Sequence, residues 1–189
     1  MNTPAPATPR VKPAQAPKVF ILDVDGVMTD GQFYYTPEGK AFKVFGADDN
    51  DALSLLKPHM EIRFVTGDKK GWDISHKRIA VDMKYPLDLV STTERITWIA
   101  EKYDPATVVY MGDGIFDPYV FAGVAYSIAP ANGMPHTKAR AHYVCQASGA
   151  KGAVAEACLH LLATFFKPWN PDAPLPGGIT YSGSWGTHT

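Results

Sequence analysis

Three short apolar runs, each ending in a polar or glycine-bearing loop, constrain this chain more than any other feature. They are Val19-Phe20-Ile21-Leu22 before Asp23, Ile62-Arg63-Phe64-Val65 before Thr66-Gly67, and Val108-Val109-Tyr110-Met111 before Gly112-Asp113. Runs of this length with little alternation suit strands buried on both faces of a parallel sheet. Parallel strands need crossovers. Helical patterns at Asp51 to Lys57, Gly71 to Ile79 and Thr92 to Tyr103 provide them, so the order alternates β and α. The expectation is an α/β fold of three layers around a central, mostly parallel sheet. A chain of 189 residues holds one such domain with appendages.

An insertion interrupts the alternation. Gln32-Phe33-Tyr34-Tyr35 and Lys40 to Phe45 flank Thr36-Pro37-Glu38-Gly39, which has turn chemistry, and together they predict a β-hairpin directly after the first strand. Further strands are expected at Ala125 to Ile128 and His142 to Val144, and a helix from Gly152 to about Phe166, ended by Pro168. Residues 1–17 are rich in Pro and Ala and read as a disordered leader; residues 18–167 form the domain; residues 168–189, with Pro, Gly, Ser and isolated aromatics such as Tyr181 and Trp185, read as a flexible tail.

Formal net charge is −1 with the basic residues scattered, so neither nucleic acid nor a membrane surface is expected as partner. A small molecule is. Cys145 and Cys158 have no metal-ligand spacing and no signal-peptide pattern precedes them, which points to free thiols in the cytoplasm.

In an open parallel sheet, ligands sit beyond the carboxyl ends of the strands. The residues expected there are Asp23 and Asp25 after the first run, Thr66 after the second, and Asp113 with Asp117 after the third. Carboxylates gathered this way repel one another unless a cation lies among them, and an all-oxygen donor set favours Mg²⁺.

Asp23-Val24-Asp25-Gly26-Val27-Met28-Thr29-Asp30-Gly31 resembles the first motif of haloacid dehalogenase-type phosphatases, Thr66-Gly67 the second, and Gly112-Asp113-Gly114-Ile115-Phe116-Asp117 the fourth. The similarity spans about Lys18 to Phe166. The hairpin in place of a large cap domain resembles the branch containing 3-deoxy-D-manno-octulosonate 8-phosphate phosphatase. The resemblance implies a Rossmann-like phosphatase with Asp23 as nucleophile and Asp25 as acid and base. Thr66 and the backbone around Val24 and Gly67 would hold the phosphoryl group. The metal would lie among Asp23, the Asp25 carbonyl and Asp113, with Asp117 orienting a water in its shell. For the basic residue of the third motif, Arg95 in the first turn of its helix is the choice, since its fork of donors suits phosphoryl oxygens, and Lys84 is the alternative. The resemblance further implies a homo-oligomer, a tetramer, assembled through the hairpin.

The chain departs from the branch at Asp48-Asp49-Asn50, where a basic residue usually precedes Asp-Gly, and at Gly114, where a second Asp is usual. Asp48 and Asp49 are either substrate contacts or the acidic start of a helix. As substrate contacts they would disfavour a substrate bearing a carboxylate besides its phosphate. Asp after a strand also serves as a helix cap, the plain alternative for any one of these aspartates. The histidines show no ligand spacing and read as packed or solvated side chains. Two other functions share this pattern: a receiver-type signalling domain, disfavoured because the Asp-x-Asp follows the first strand, and a silent metabolite-binding module, disfavoured because both carboxylates are intact.

Overall fold

The computed structural model describes residues 12–175, 177, 181 and 182. Strands β1 (Val19–Asp23), β4 (Glu61–Thr66), β5 (Leu87–Leu89), β6 (Val108–Met111), β7 (Tyr126–Ala129) and β8 (Tyr143–Val144) form one parallel sheet in the order β5-β4-β1-β6-β7-β8. Strands β2 (Tyr34–Thr36) and β3 (Gly39–Phe42) make the inserted antiparallel hairpin. The helices are α1 (Asp48–Leu56), α2 (Trp72–His76), α3 (Arg95–Lys102), α4 (Asp117–Gly123), α5 (Pro135–Lys138) and α6 (Ala153–Phe165). No large cap domain is present among the described residues.

The three layers follow from the side-chain alternation of a strand covered on both faces. In β1, Phe20 and Leu22 join a core with Leu53 and Leu56 of α1 and Ala157, Cys158, Leu161 and Leu162 of α6. Val19 and Ile21 point the other way, into a core with Ile99 of α3 and Val120 and Phe121 of α4. Each fully buried residue of this kind is worth about 1.5–3 kcal/mol relative to exposure. The apolar run of β1 therefore has no solvent face and must lie at the centre of the sheet.

The sequence-expected strands are found within a residue or two. Elements that go beyond the expectation are β5, whose Leu-Asp-Leu is too short to carry a period, α4, which begins on Asp117 itself, and the single-turn α5. Helix α1 starts at Asp48, three residues earlier than its apolar pattern, because the acidic run there favours a helix N-terminus. The hairpin strands are shorter than expected, and Phe45 leaves the hairpin to bridge with Thr29.

The expected leader and tail fall only partly within the described residues. Lys12 donates to the carbonyl of Thr164 and lies over the Phe165 ring, and Pro17 is buried. Ser182 bonds to Asn50 and Ser54 of α1, and Tyr181 lines a cleft with Leu55, His59 and Trp169. Residues 1–11 and Trp185 lie outside the described residues. No helix among the described residues is long and apolar enough to cross a membrane.

One helix terminus is completed from another element. Gly152, at the start of α6, has no side chain to accept from the first turn, and the buried carboxylate of Asp49 in α1 accepts from Ala155 N–H at 3.0 Å. This satisfies an orphan donor and puts negative charge at the positive end of the helix. Asp49→Ala is expected to lower stability by about 1–2 kcal/mol, with Asp49→Asn, which keeps the acceptor, losing less. Urea unfolding at neutral pH measures both; equal stability of Asp49→Ala and the parent would show that the contact contributes nothing.

Candidate active site

The strand order brings the polar strand ends together. β1 lies between β4 and β6, with Asp23 in register with Val65 and Leu22 with Met111, so Asp23, Thr66 and the Gly112-Asp113 loop emerge side by side. The chain winds toward β5 on one side of β1 and toward β8 on the other. The site thus opens where the direction of winding switches.

Asp23 ends β1 and is buried, with its Oδ1 accepting from Val24 N–H at 2.7 Å. Arg95, the first residue of α3, is wholly enclosed and grips this carboxylate with two bonds, Nη1 to Oδ2 at 2.6 Å and Nη2 to Oδ1 at 3.0 Å. Nη1 also donates to the Tyr110 hydroxyl at 2.6 Å and lies 3.4 Å from Asp117 Oδ1. The Tyr110 hydroxyl in turn donates to Asp117 Oδ1 at 2.9 Å, and Gly114 N–H donates to Asp117 Oδ2 at 2.7 Å. Burial works against the guanidinium charge, but Asp23, Tyr110 and Asp117 outweigh it and hold Arg95 above its ordinary value. Arg95 is therefore a permanent cation beneath the proposed nucleophile.

Asp23, Asp113 and Asp117 can each offer a carboxylate oxygen to one point, these atoms lying within 4.8 Å of one another. Three carboxylates against the one guanidinium leave two negative charges, which a single divalent cation would balance. The strain of the bare arrangement is visible at Asp113, whose carboxyl is pushed up to about 8 by burial and then by repulsion from Asp23 and Asp117. Burial also raises Asp23, against the pull of Arg95. The residues present thus fit a hard divalent cation. Gly26 makes room: its φ is +85°, and a Cβ there would collide with the Asp113 carboxylate. The turn carrying Gly26 is held by Asn132, which donates to the Gly26 carbonyl at 2.8 Å and accepts from Gly149 N–H at 2.7 Å.

A second cluster adjoins the first. Asp25 turns its Oδ1 to the Nζ of Lys43 at 2.7 Å and its Oδ2 to the Thr66 hydroxyl at 3.2 Å. Lys43 follows β3, is buried, and also meets Asp68 Oδ2 at 2.9 Å and Ser75 Oγ at 2.9 Å. Lys40 pairs with the same Asp68 oxygen. Burial raises the Asp25 carboxyl against the pull of Lys43, while the two lysines outweigh burial at Asp68 and lower it. Two carboxylates and two ammonium groups leave this cluster neutral, so a cation has no electrostatic reason to settle here.

Among the expected residues, Asp23, Arg95, Asp113 and Asp117 converge on one cluster, and Asp25 and Thr66 on the next, with Gly67 packed against Thr92 beside them. Lys84 does not join them. It lines a cleft with Lys18, Lys57 and His59 at the amino-terminal ends of β1 and β4, the far side of the sheet, whereas Arg95 lies against Asp23. Asp49 caps α6 instead of facing the site, and Asp48 is exposed at the start of α1. The histidines among the described residues are packed or bonded locally, His160 for example stacking on Tyr143 and bonding to the Tyr126 hydroxyl.

Lys40, Lys43, Asp68, Asn132 and Tyr110 escaped the sequence reading. Tyr110 carried a signal, since a tyrosine in an otherwise apolar buried strand must find a partner for its hydroxyl. Lys43 carried none, because a charged residue in a hairpin is ordinarily solvated.

No family model matches the chain. Among curated proteins it is 32% identical over 152 residues to the 3-deoxy-D-manno-octulosonate 8-phosphate phosphatase KdsC of Yersinia pestis, covering 77% of this chain and 80% of that protein. It is 30% identical over 151 residues to the KdsC of Escherichia coli K12, covering 77% and 79%. Among solved structures, the cobalt-bound deoxy-D-mannose-octulosonate 8-phosphate phosphatase of Haemophilus influenzae superposes with a TM-score of 0.70 at 27% identity, covering 78% of this chain and 88% of that one. The Moraxella catarrhalis 3-deoxy-D-manno-octulosonate 8-phosphate phosphatase, in complex with a magnesium ion, a phosphate ion and a KDO molecule, superposes with a TM-score of 0.67 at 25% identity, covering 79% and 87%. With the strand-end aspartates, the buried arginine and the uncapped hairpin already in place, the chain belongs to the haloacid dehalogenase superfamily and is a phosphatase of its KdsC-like branch.

Proposed function

We propose that the chain hydrolyses a small sugar or sugar-acid phosphomonoester through an aspartyl phosphate on Asp23, with Mg²⁺ as its cation. The observation that carries this reading is the pairing of two carboxyls two residues apart in different surroundings. Asp23 is gripped by Arg95 at the strand end, and Asp25 is turned aside to Lys43 and Thr66. The first environment aims the carboxylate, with Arg95 working against the burial that raises it. The second suits a group that passes a proton back and forth.

An oxygen of Asp23 attacks phosphorus while the ester P–O bond breaks, and Asp25 gives its proton to the departing oxygen. Asp25, now ionised, takes a proton from a water that attacks the aspartyl phosphate, which releases inorganic phosphate and restores Asp23. Arg95 stabilises charge on the carboxylate and on the phosphoryl oxygens through both steps. Asp23, Asp113, Asp117 and the Asp25 carbonyl would hold the cation, which supplies charge neutralisation on the phosphoryl group when bound.

The relatives' names support 3-deoxy-D-manno-octulosonate 8-phosphate as one candidate substrate. With Asp49 buried against α6, the argument against a carboxylate-bearing substrate rests on Asp48 alone. A panel of phosphomonoesters containing octulosonate 8-phosphate and phosphorylated sugars lacking the carboxylate, assayed for phosphate release with and without Mg²⁺, separates these readings. Asp23→Asn is expected to abolish turnover. Asp25→Asn is expected to slow alkyl esters on the order of 10²-fold and p-nitrophenyl phosphate less, since nitrophenolate leaves without a proton. Near-parental rates in Asp23→Asn would remove the nucleophile assignment.

The raised Asp113 carboxyl makes a second prediction. A folded-state value of about 8, above the ordinary carboxyl value of 3.8, means that the fold holds an extra proton between the two. Without a cation, stability contributed by this group is present at low pH and is lost as pH rises through that window, and a cation replaces the proton. Thermal melts are expected to show Mg²⁺ raising Tm more at pH 8 than at pH 5. An equal increment at both values would place the cation elsewhere.

We assign a homotetramer to the hairpin. Phe33 is 49% exposed, Tyr35 59%, Phe42 54% and Val44 41%, and a two-stranded ribbon is marginal by itself. Tyr34 is less available, stacked on Phe42 at 4.5 Å and bonded to Asp30. Light scattering at micromolar protein is expected to give four times the chain mass, and a monomer would contradict the assignment.

A further inference from the structure

The hairpin does more than present an apolar face. Lys43, Asp25, Thr66 and Asp68 close into a ring. The Lys43 ammonium touches Asp25 Oδ1, Asp25 Oδ2 accepts from the Thr66 hydroxyl, that hydroxyl accepts from Asp68 N–H at 3.0 Å, and Asp68 Oδ2 returns to Lys43. Two further bonds fix the ring in place: Asp68 Oδ1 accepts from Gly71 N–H at 3.1 Å, and Ser75 Oγ receives the Lys43 ammonium. The ring joins three segments that are distant in sequence: the loop after β1, the loop after β4, and the end of the hairpin.

We propose that Lys43 is a positioning residue for Asp25, holding the proton-transfer carboxyl in the orientation from which it reaches the leaving oxygen. Both carboxylate oxygens of Asp25 are held, one by the Lys43 ammonium and one by the Thr66 hydroxyl, so its rotation is restrained at both ends. Of these restraints only Lys43 comes from the hairpin. Proton transfer is thereby coupled to the hairpin's seating on the domain, and Lys40 with Asp68 forms a second tie of the same strand to the same loop. A carboxyl held in place transfers a proton more efficiently than one free to rotate.

This inference rests on the phosphomonoesterase reading, and leaving-group dependence tests it. The full chain is compared as parent, Asp25→Asn, Lys43→Met, Lys43→Arg and the Asp25→Asn, Lys43→Met double variant. Each is assayed for kcat/KM on p-nitrophenyl phosphate and on glycerol 3-phosphate, whose alkoxide needs a proton to leave. Lys43→Met is expected to lose on the order of a hundredfold on glycerol 3-phosphate and less than about a tenth of that loss on the aryl ester. Lys43→Arg should recover part of the difference. The double variant should be no slower on glycerol 3-phosphate than Asp25→Asn, because the two side chains act as one unit. Equal losses on both esters in Lys43→Met, or losses that multiply in the double variant, overturn the proposal and leave Lys43 a structural residue. If Lys43→Met does not fold, Lys43→Gln, which is shorter and lacks the charge, must show the same split, and equal losses there overturn the proposal too. Failure of the parent to cleave either ester overturns both this inference and the phosphomonoesterase reading, whereas a parent active on both with no split in the variants overturns this inference alone.

Discussion

The two-pronged ion pair between Arg95 and Asp23 is the contact on which the rest of the site depends. A guanidinium with almost no exposure costs several kcal/mol in lost hydration unless its donors are matched, and here Asp23, Tyr110 and Asp117 surround it. The Nη donors are met only where β1, β6, α3 and α4 come together, while Nε is buried without a partner. Tyr110 cannot leave β6 and Asp117 cannot leave the start of α4 without stranding a buried charge. The Asp23 carboxylate is thus oriented by the same interaction that ties these layers together.

Two neighbouring clusters divide the electrostatic work. Around Arg95 the carboxylates outnumber the cations, an excess that a divalent ion could balance. Around Lys43 the charges balance, and the bonds close on themselves instead of calling for a further partner. Asp23 and Asp25 are two residues apart in sequence, yet they belong to different clusters because the turn after β1 departs from regular geometry at Asp25 and Gly26. Separate surroundings let two carboxyls of the same type take different roles.

Among the described residues no large cap covers the site, and the hairpin with the chain that follows it lies beside Asp25 and Asp68. The superposition on the two solved relatives covers most of both chains. Asp68, directly after Thr66-Gly67, draws Lys40 and Lys43 onto the domain. The hairpin is in this way both an apolar surface and a source of charge at the site.

By itself the sequence determined the strands, the parallel sheet and the acidic residues at the strand ends. These follow from local pattern: a continuous apolar run has to be buried on both faces, and a polar residue directly after it has to emerge at the strand's end. It left Arg95 and Lys84 both open, and it left Asp48 and Asp49 between helix start and substrate contact. Only the tertiary structure decided these. Lys84 precedes its strand and so falls at the opposite edge of the sheet, while Arg95 begins a helix and can reach back under β1. Asp49 lies one residue from Asp48, but the helix turns it inward to the start of α6. The role of Lys43 was likewise invisible, since its partners stand 18, 25 and 32 positions away and come together only when the hairpin folds onto the loop after β4. Pattern records which residues must be buried; which charge meets which depends on long-range placement, and that is set by packing the layers.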